Sequence, residues 1–218
     1  CNGIYQRSIA ELQFVEHLNC NNNMNINNVN HLKNTLKVLK CNYASGINQN
    51  GISELQCIEE LHCSDNNKIN NVNHLKNTLK ILYCDSDCGI DQNGISELQC
   101  VEDLYCNDNI KINNLNHMAN TLKILGCRYM SNIDQKGISK LRYIENLYCH
   151  DNRNINNVNH LKNTLKVLLC GGDCGIDQDG ISQLECLEEL ECRLNNKIND
   201  VNHLKNTLVC LDCSYYSG

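Results

Sequence analysis

The chain has 218 residues, a net charge of −6, 41% hydrophobic residues and only 5% aromatics. That apolar share is enough for a continuous core. The acidic balance, with no basic run, argues against nucleic acid or an anionic membrane as partner. No apolar stretch approaches the ~18 residues of a membrane-spanning helix, and the start is not signal-like. Proline is absent and asparagine occurs 39 times, yet no Asn begins an Asn-x-Ser/Thr sequon.

Taken in chain order, the sequence is a series of strand phrases joined by return segments. The first phrase closes on Cys20. NVNHLKNTLKVL, from Asn28 to Leu39, is a return arc running into the next strand phrase, LKVLKC, which closes on Cys41. A second kind of return, containing INQNGI, leads to IEELHC and Cys63. The alternation then continues through LKILYC, VEDLYC and LKILGC. His31, His74, His117, His160 and His203 mark copies of the dodecamer at a constant period of 43 residues. The cysteines Cys20, Cys41, Cys63, Cys84, Cys106, Cys127, Cys149, Cys170, Cys192 and Cys213 halve it, alternating at intervals of 21 and 22. A fixed period of this length marks a repeat array in which every unit packs on its neighbours. The expectation is therefore a single array over 1–218, ten strand units in five double repeats, forming a segment of a longer protein. Neither end shows a recognisable cap, which leaves end-to-end self-association open.

In each L-x-x-L-x-C phrase the last Leu and the Cys are two residues apart, so on a strand both point the same way. Stacking then puts Leu on Leu and Cys on Cys, with Cys serving as a small hydrophobe. Ile26, Ile69, Ile112, Ile155 and Ile198, with Val29, Val72, Leu115, Val158 and Val201, fill the arc behind. Asn23, Asn66, Asn109, Asn152 and Asn195 stand where the chain turns out of the strand. There a side-chain amide can satisfy exposed backbone groups. In the 22-residue units that place holds Ala44, Asp87, Met130, Asp173 and Tyr216, so the Asn ladder is half-occupied. Gly51, Gly94, Gly137 and Gly180, in INQNGI and its copies, predict a tight turn with positive φ.

The unit V-x-x-L-x-C-x-x-N-x-x-I-x-x-V-x-x-L resembles the leucine-rich repeat, L-x-x-L-x-L-x-x-N/C-x-L, over essentially the whole chain. Segments such as INNVNHLKNTLKVLKC are most similar to the short bacterial-type repeat, with Asn and His where prolines usually stand. The Asn-rich style and the Cys closing each strand are similar to leucine-rich-repeat proteins of giant amoeba-infecting DNA viruses. The resemblance implies an α/β fold. This would be a right-handed solenoid with a ten-stranded parallel sheet on the concave face and short helical or irregular segments on the convex face.

Little in the chain points to chemistry. Cys84–Cys88 and Cys170–Cys174 have C-x3-C spacing but lack a second pair at finger-like spacing, so no metal is expected. Histidine copies two units apart are roughly 10 Å from one another, too far to share an ion. A ladder of identical thiols reads as reduced and intracellular, in the cytoplasm or a host cytoplasm. Cys88 and Cys174 stand out as exposed, reactive exceptions. No phosphate loop or nucleophile–base set is present, so neither catalysis nor a cofactor is expected.

The outward strand positions carry the functional expectation. Position two alternates Glu16, Lys37, Glu59, Lys80, Glu102, Lys123, Glu145, Lys166 and Glu188 before ending on Val209, and this alternation is the structural solution for an in-register parallel stack. Position five varies among the copies, and Tyr83, Tyr105 and Tyr148 recur there near His62, Ile124 and Leu169. Tyrosine is enriched in interface hot spots. These six residues are the expected partner-binding face of a non-catalytic protein-interaction module. The alternatives are a secreted or surface protein binding glycan or a host receptor, and a structural assembly protein.

Overall fold

The computed structural model describes residues 3–214. The chain divides into two compact units, Cys1–Leu104 and Tyr105–Gly218, each described by itself. Among the described residues ten three-residue strands occur: β1 (His17–Asn19), β2 (Val38–Lys40), β3 (Glu60–His62), β4 (Ile81–Tyr83), β5 (Asp103–Tyr105), β6 (Ile124–Gly126), β7 (Asn146–Tyr148), β8 (Val167–Leu169), β9 (Glu189–Glu191) and β10 (Cys210–Asp212). They start at intervals of 21 and 22 residues in turn, and strand order is chain order. In the first unit β1 to β4 pair parallel with Leu18, Leu39, Leu61 and Leu82 in register. In the second, β6 to β10 do the same with Leu125, Leu147, Leu168, Leu190 and Leu211. Within each unit this is a parallel, in-register stack of repeated coils.

The return segments are short because each must reverse the chain within one coil. In the 21-residue units the dodecamer supplies a single 3-10 turn: Asn30–Leu32, Asn73–Leu75, Asn116–Met118, Asn159–Leu161 and Asn202–Leu204. Its asparagines are cross-coil ties. Asn28 Oδ1 accepts from the Asn30 amide at 2.9 Å. Asn30 Oδ1 then accepts from the Glu54 amide at 3.1 Å, while its Nδ2 donates to the Asn50 carbonyl at 2.8 Å. Asn73 and Asn159 repeat that pattern on the coils that follow them. The 22-residue units close with another 3-10 turn, Asn93–Ile95, or with a four-residue helix. These helices are α2 (Gln49–Ile52), α3 (Gln135–Ile138) and α4 (Gln178–Ile181), and α1 (Gln6–Ile9) begins the fold. Asn48, Asp134 and Asp177 cap α2 to α4 by accepting from the amides of Gly51, Gly137 and Gly180 at 2.8–3.0 Å.

The glycine expectation needs correction. Gly51, Gly94, Gly137 and Gly180 are not among the residues with positive φ. Glycine is needed because the neighbouring coil comes too close: a Cβ there would lie 2.0–2.2 Å from the carbonyl oxygens of Asn27, Asn70, Asn113 and Asn156. Positive φ falls instead two residues past the strand-closing cysteine, at Asn22, Tyr43, Asp65, Ser86, Asp108, Tyr129, Asp151, Gly172 and Leu194. That conformation lets the amide reach the next coil, as in Tyr43 to Ser64 at 2.9 Å, and Asn and Asp tolerate it best.

Between sheet and returns lies the core. Leu39, Leu61, Leu82, Leu125, Leu168 and Leu190 are buried, with Ile69, Val72, Ile155 and Val158 behind them. Ladder cysteines Cys20, Cys41, Cys63, Cys84, Cys106, Cys127, Cys149, Cys170 and Cys192 are buried as well. They are more than small hydrophobes: Cys20, Cys41 and Cys63 each donate S–H to the next strand's carbonyl at 3.3–3.4 Å. Cys213 departs from the ladder and is exposed, because no described coil packs beyond it. A second correction concerns Cys88 and Cys174. Both are fully buried, since the 22-residue return turns them inward rather than outward.

The Asn ladder works across coils. Asn66 is buried and its Nδ2 donates to the Cys41 carbonyl at 2.9 Å and the Ile47 carbonyl at 3.1 Å, bridging the preceding return. Its Oδ1 accepts from the Lys68 amide at 3.1 Å. Asn152 binds Cys127 and Ile133 in the same way, and Asn195 binds Cys170 and Ile176. Asn109 is buried and accepts from the Lys111 amide, while Asn23, half-buried, reaches Ile4. One Asn spans two coils, so half-occupancy suffices: Ala44, Asp87, Met130 and Asp173 need not supply the group, and Tyr216 lies outside the described residues.

Candidate functional site

The open strand face is built on a row of charge pairs. Lys37 reaches Glu16 at 3.0 Å, Lys80 reaches Glu59 at 2.8 Å and Lys166 reaches Glu145 at 2.8 Å. The hydrogen-bonded glutamate raises each lysine pKa, and Lys80 lowers that of Glu59. All these groups are solvated, so the row sets strand pairing without contributing much to stability.

Within the first unit, His62 on β3 and Tyr83 on β4 are register partners. Their rings stack with centroids 4.2 Å apart and planes inclined by 13°. His62 Nε2 lies 2.5 Å from Glu60 Oε1, and Lys40 Nζ approaches the same oxygen at 3.8 Å. The imidazole is mostly covered, with its side chain 15% exposed. His62 therefore acts chiefly as a platform that holds Tyr83 in place.

Within the second unit the arrangement differs. Tyr105 and Tyr148 come from strands with β6 between them, a separation of about 10 Å for two strand spacings. Their ring centroids are nevertheless only 6.4 Å apart, inclined by 20°. Gly126 of β6 makes this possible, since a Cβ there would lie 2.8 Å from Tyr105 Cδ1. Arg128 completes the group, its guanidinium 5.2 Å from the Tyr148 ring centroid. The Arg128 amide donates to Asn107 Oδ1 at 2.9 Å. Asn146 Nδ2 donates to the Tyr148 hydroxyl at 3.2 Å. Arg128 Nε is buried without a hydrogen-bond partner. Leu169 is the register partner of Tyr148 on β8, and Ile124 lies on β6 beside Asn146. Both are half-buried on this face.

A glycine also stands between charged side chains at Gly171, where the neighbouring backbone comes closest. A Cβ there would lie 2.8 Å from the Arg193 carbonyl oxygen, with His150 Cδ2 at 3.1 Å and Glu191 Oε1 at 3.4 Å. Across the gap His150 Nε2 lies 2.9 Å from Glu191 Oε1, which also binds Arg193 Nε at 3.0 Å. His150 Nδ1 is buried without a partner. Gly126, Arg128, His150 and Glu191 lie outside the six residues expected from the sequence. A signal was present: a single glycine in LKILGC, flanked one unit either way by VEDLYC and ENLYC.

Thus the six expected residues fall into His62 and Tyr83 in one unit, and Tyr105, Ile124, Tyr148 and Leu169 in the other. The repeat histidines take a structural place. Nε2 of His74, His160 and His203 meets the carbonyls of Ile52, Ile138 and Ile181 at 3.0–3.2 Å. Burial lowers the pKa of His74 and His160, so their rings are the neutral Nε2–H donors to those carbonyls. Among the described residues, no group of three or more His, Cys, Asp or Glu could hold a metal ion, and no helix is long and apolar enough to cross a membrane.

No protein-family model matches the chain, and neither does any curated protein. Among solved structures, internalin C2 from Listeria monocytogenes strain 4b F2365 is similar to it at 16% identity. The match covers 92% of this chain and 80% of that one, with a TM-score of 0.42. A likeness at this level carries no functional argument, and the reading of the site rests on its own geometry.

Proposed function

We propose that the chain is a non-catalytic protein-binding module and that the open strand face carries its contact residues. The observation behind this reading is the Tyr105–Tyr148 pair, brought together over Gly126 and flanked by Arg128 and Leu169. Paired aromatics beside a guanidinium form the composition of an interface hot spot. Strict repetition elsewhere makes the departure at these positions informative. Tyr83 on its His62 platform supplies a second anchor of the same kind. Because the ladder thiols are buried and hydrogen-bonded to backbone, the reading includes a reducing, intracellular setting.

The test is affinity capture from cell lysate with the wild-type chain, against a Tyr83→Ala, Tyr105→Ala, Tyr148→Ala variant of matched circular dichroism. A protein retained by the wild type and lost by the variant, confirmed with purified components, is the expected result. Equal capture by both would remove the tyrosines from the site. No specific capture by either would favour an assembly role, to be checked by concentration-dependent sedimentation.

A further inference from the structure

In the core of each unit two thiols lie in contact. Cys63 Sγ is 3.6 Å from Cys88 Sγ, and Cys149 Sγ is 3.7 Å from Cys174 Sγ. All four residues are fully buried. Each pair joins a strand-closing cysteine to the inward-turned residue of the following 22-residue return, and the spacing is 25 residues in both. The equivalent inward residue elsewhere is serine: Ser45, whose Oγ lies 3.8 Å from Cys20 Sγ, and the buried Ser131. Packing therefore accepts either small side chain, and two of the returns present a thiol to a thiol.

We propose that Cys63/Cys88 and Cys149/Cys174 are two built-in dithiol sites that close to disulfides under a peroxide oxidant. Closure would tie the ends of β3 and β7 to the returns that follow β4 and β8. The balance is that of a two-electron oxidation. One thiolate sulfur attacks a peroxide oxygen, the O–O bond breaks, and the departing hydroxide takes up a proton as the first water. The second sulfur then attacks the sulfenic sulfur. The S–S bond forms, the S–O bond breaks, and a second water leaves with the remaining thiol proton. Two sulfurs lose two electrons in total and the peroxide gains them.

Order within the second pair follows from its surroundings. Contact with the Cys149 thiol, the Ile176 amide and the nearby Lys197 ammonium lower the Cys174 pKa despite burial. Contact with Cys174, together with burial, raises that of Cys149. Lys197 Nζ also donates to the Cys174 carbonyl. The Lys197 ammonium, held at the Cys174 carbonyl, favours a thiolate at that residue, which makes Cys174 the attacking sulfur in this proposal and Cys149 the resolving one. Full burial restricts the reaction to an oxidant of about water's size and sets its rate by local opening.

The test uses the folded chain. N-ethylmaleimide first blocks accessible cysteines, with Cys210 and Cys213 exposed and Cys57, Cys100 and Cys186 half-buried. Hydrogen peroxide is then added, the protein is denatured, remaining thiols are tagged with a second alkylating reagent, and the peptides are mapped by mass spectrometry. A parallel sample is refolded from the reduced, denatured state with oxidised glutathione, which removes the barrier of burial. Cys63–Cys88 and Cys149–Cys174 cross-linked peptides, with a raised thermal midpoint, are expected. A Cys88→Ser, Cys174→Ser variant, which copies Ser45 and Ser131, should fold as the wild type does and lack both links. Recovery of all four cysteines as tagged thiols by both routes overturns the proposal. Linkage of Cys63 or Cys149 to other cysteines, in wild type or variant, overturns it equally.

Discussion

The His62–Tyr83 and Tyr105–Tyr148 pairs bring aromatic rings together by different means. The first sits on neighbouring strands, stacks closely at 4.2 Å and is tied at its base to Glu60. The second reaches over an intervening glycine, rests at 6.4 Å and has Arg128 against its far ring. Repetition fixes where a strand position points. What it can contact is decided one or two strands away, so a glycine in one repeat lets side chains of its two neighbours meet.

Both pairs rest on the same Asn-tied scaffold, and the largest predicted effects test that. Asn66→Ala and Asn152→Ala each remove two bonds donated to buried carbonyls. Each should cost about 2–4 kcal/mol in urea unfolding, and clearly unequal costs would break the comparison. Gly126→Ala should come next, at about 1–3 kcal/mol from overpacking. It should separate Tyr105 from Tyr148, changing the near-ultraviolet circular dichroism, and leave His62–Tyr83 untouched. An unchanged tyrosine signal would show that the glycine does not make the second pair.

Acid should then weaken both units alike. His74 in the first unit and His160 in the second have pKa values lowered by burial, so the unfolded chain takes up their protons first. The stability they contribute is fully present above the ordinary histidine value of about 6.5. It is lost as pH falls through their lowered values. Thermal midpoints from pH 7.5 down to 5 should fall, and less steeply in a His74→Gln, His160→Gln variant, where the amide can donate to the same carbonyls without titrating. An unaltered slope would assign the acid sensitivity to other groups. The smallest effect belongs to the solvated charge row: Lys80→Met and Lys166→Met should leave the thermal midpoint unchanged within error.

Much of the scaffold was legible. The alternation of Cys20, Cys41 and Cys63 located the strands because a buried thiol must return to the same place in every coil. Asn66 and its copies were recognisable because a side-chain amide offers two N–H donors and a carbonyl acceptor where the backbone leaves the sheet. Misreadings came where sequence looks local but the constraint is not. Gly51 looks like a turn glycine, yet it answers to the Asn27 carbonyl on the adjacent coil. Cys88, near a glycine and between acidic residues, reads as exposed, and is drawn inward by packing against Cys63. Tyr105 and Tyr148 are readable as interface residues, but their meeting depends on the absence of a side chain at Gly126.

By itself, the sequence determined the repeat, the strand positions, the inward Leu and Cys columns and the alternating charge row. Each of these follows from periodicity, which fixes the direction of every side chain relative to its own backbone. Tertiary structure alone decided what those side chains meet: which glycines make room for a neighbour, which thiols touch, and which tyrosines pair. Those outcomes depend on distances between coils roughly twenty residues apart or more, set by close packing across the stack, and no local pattern encodes them.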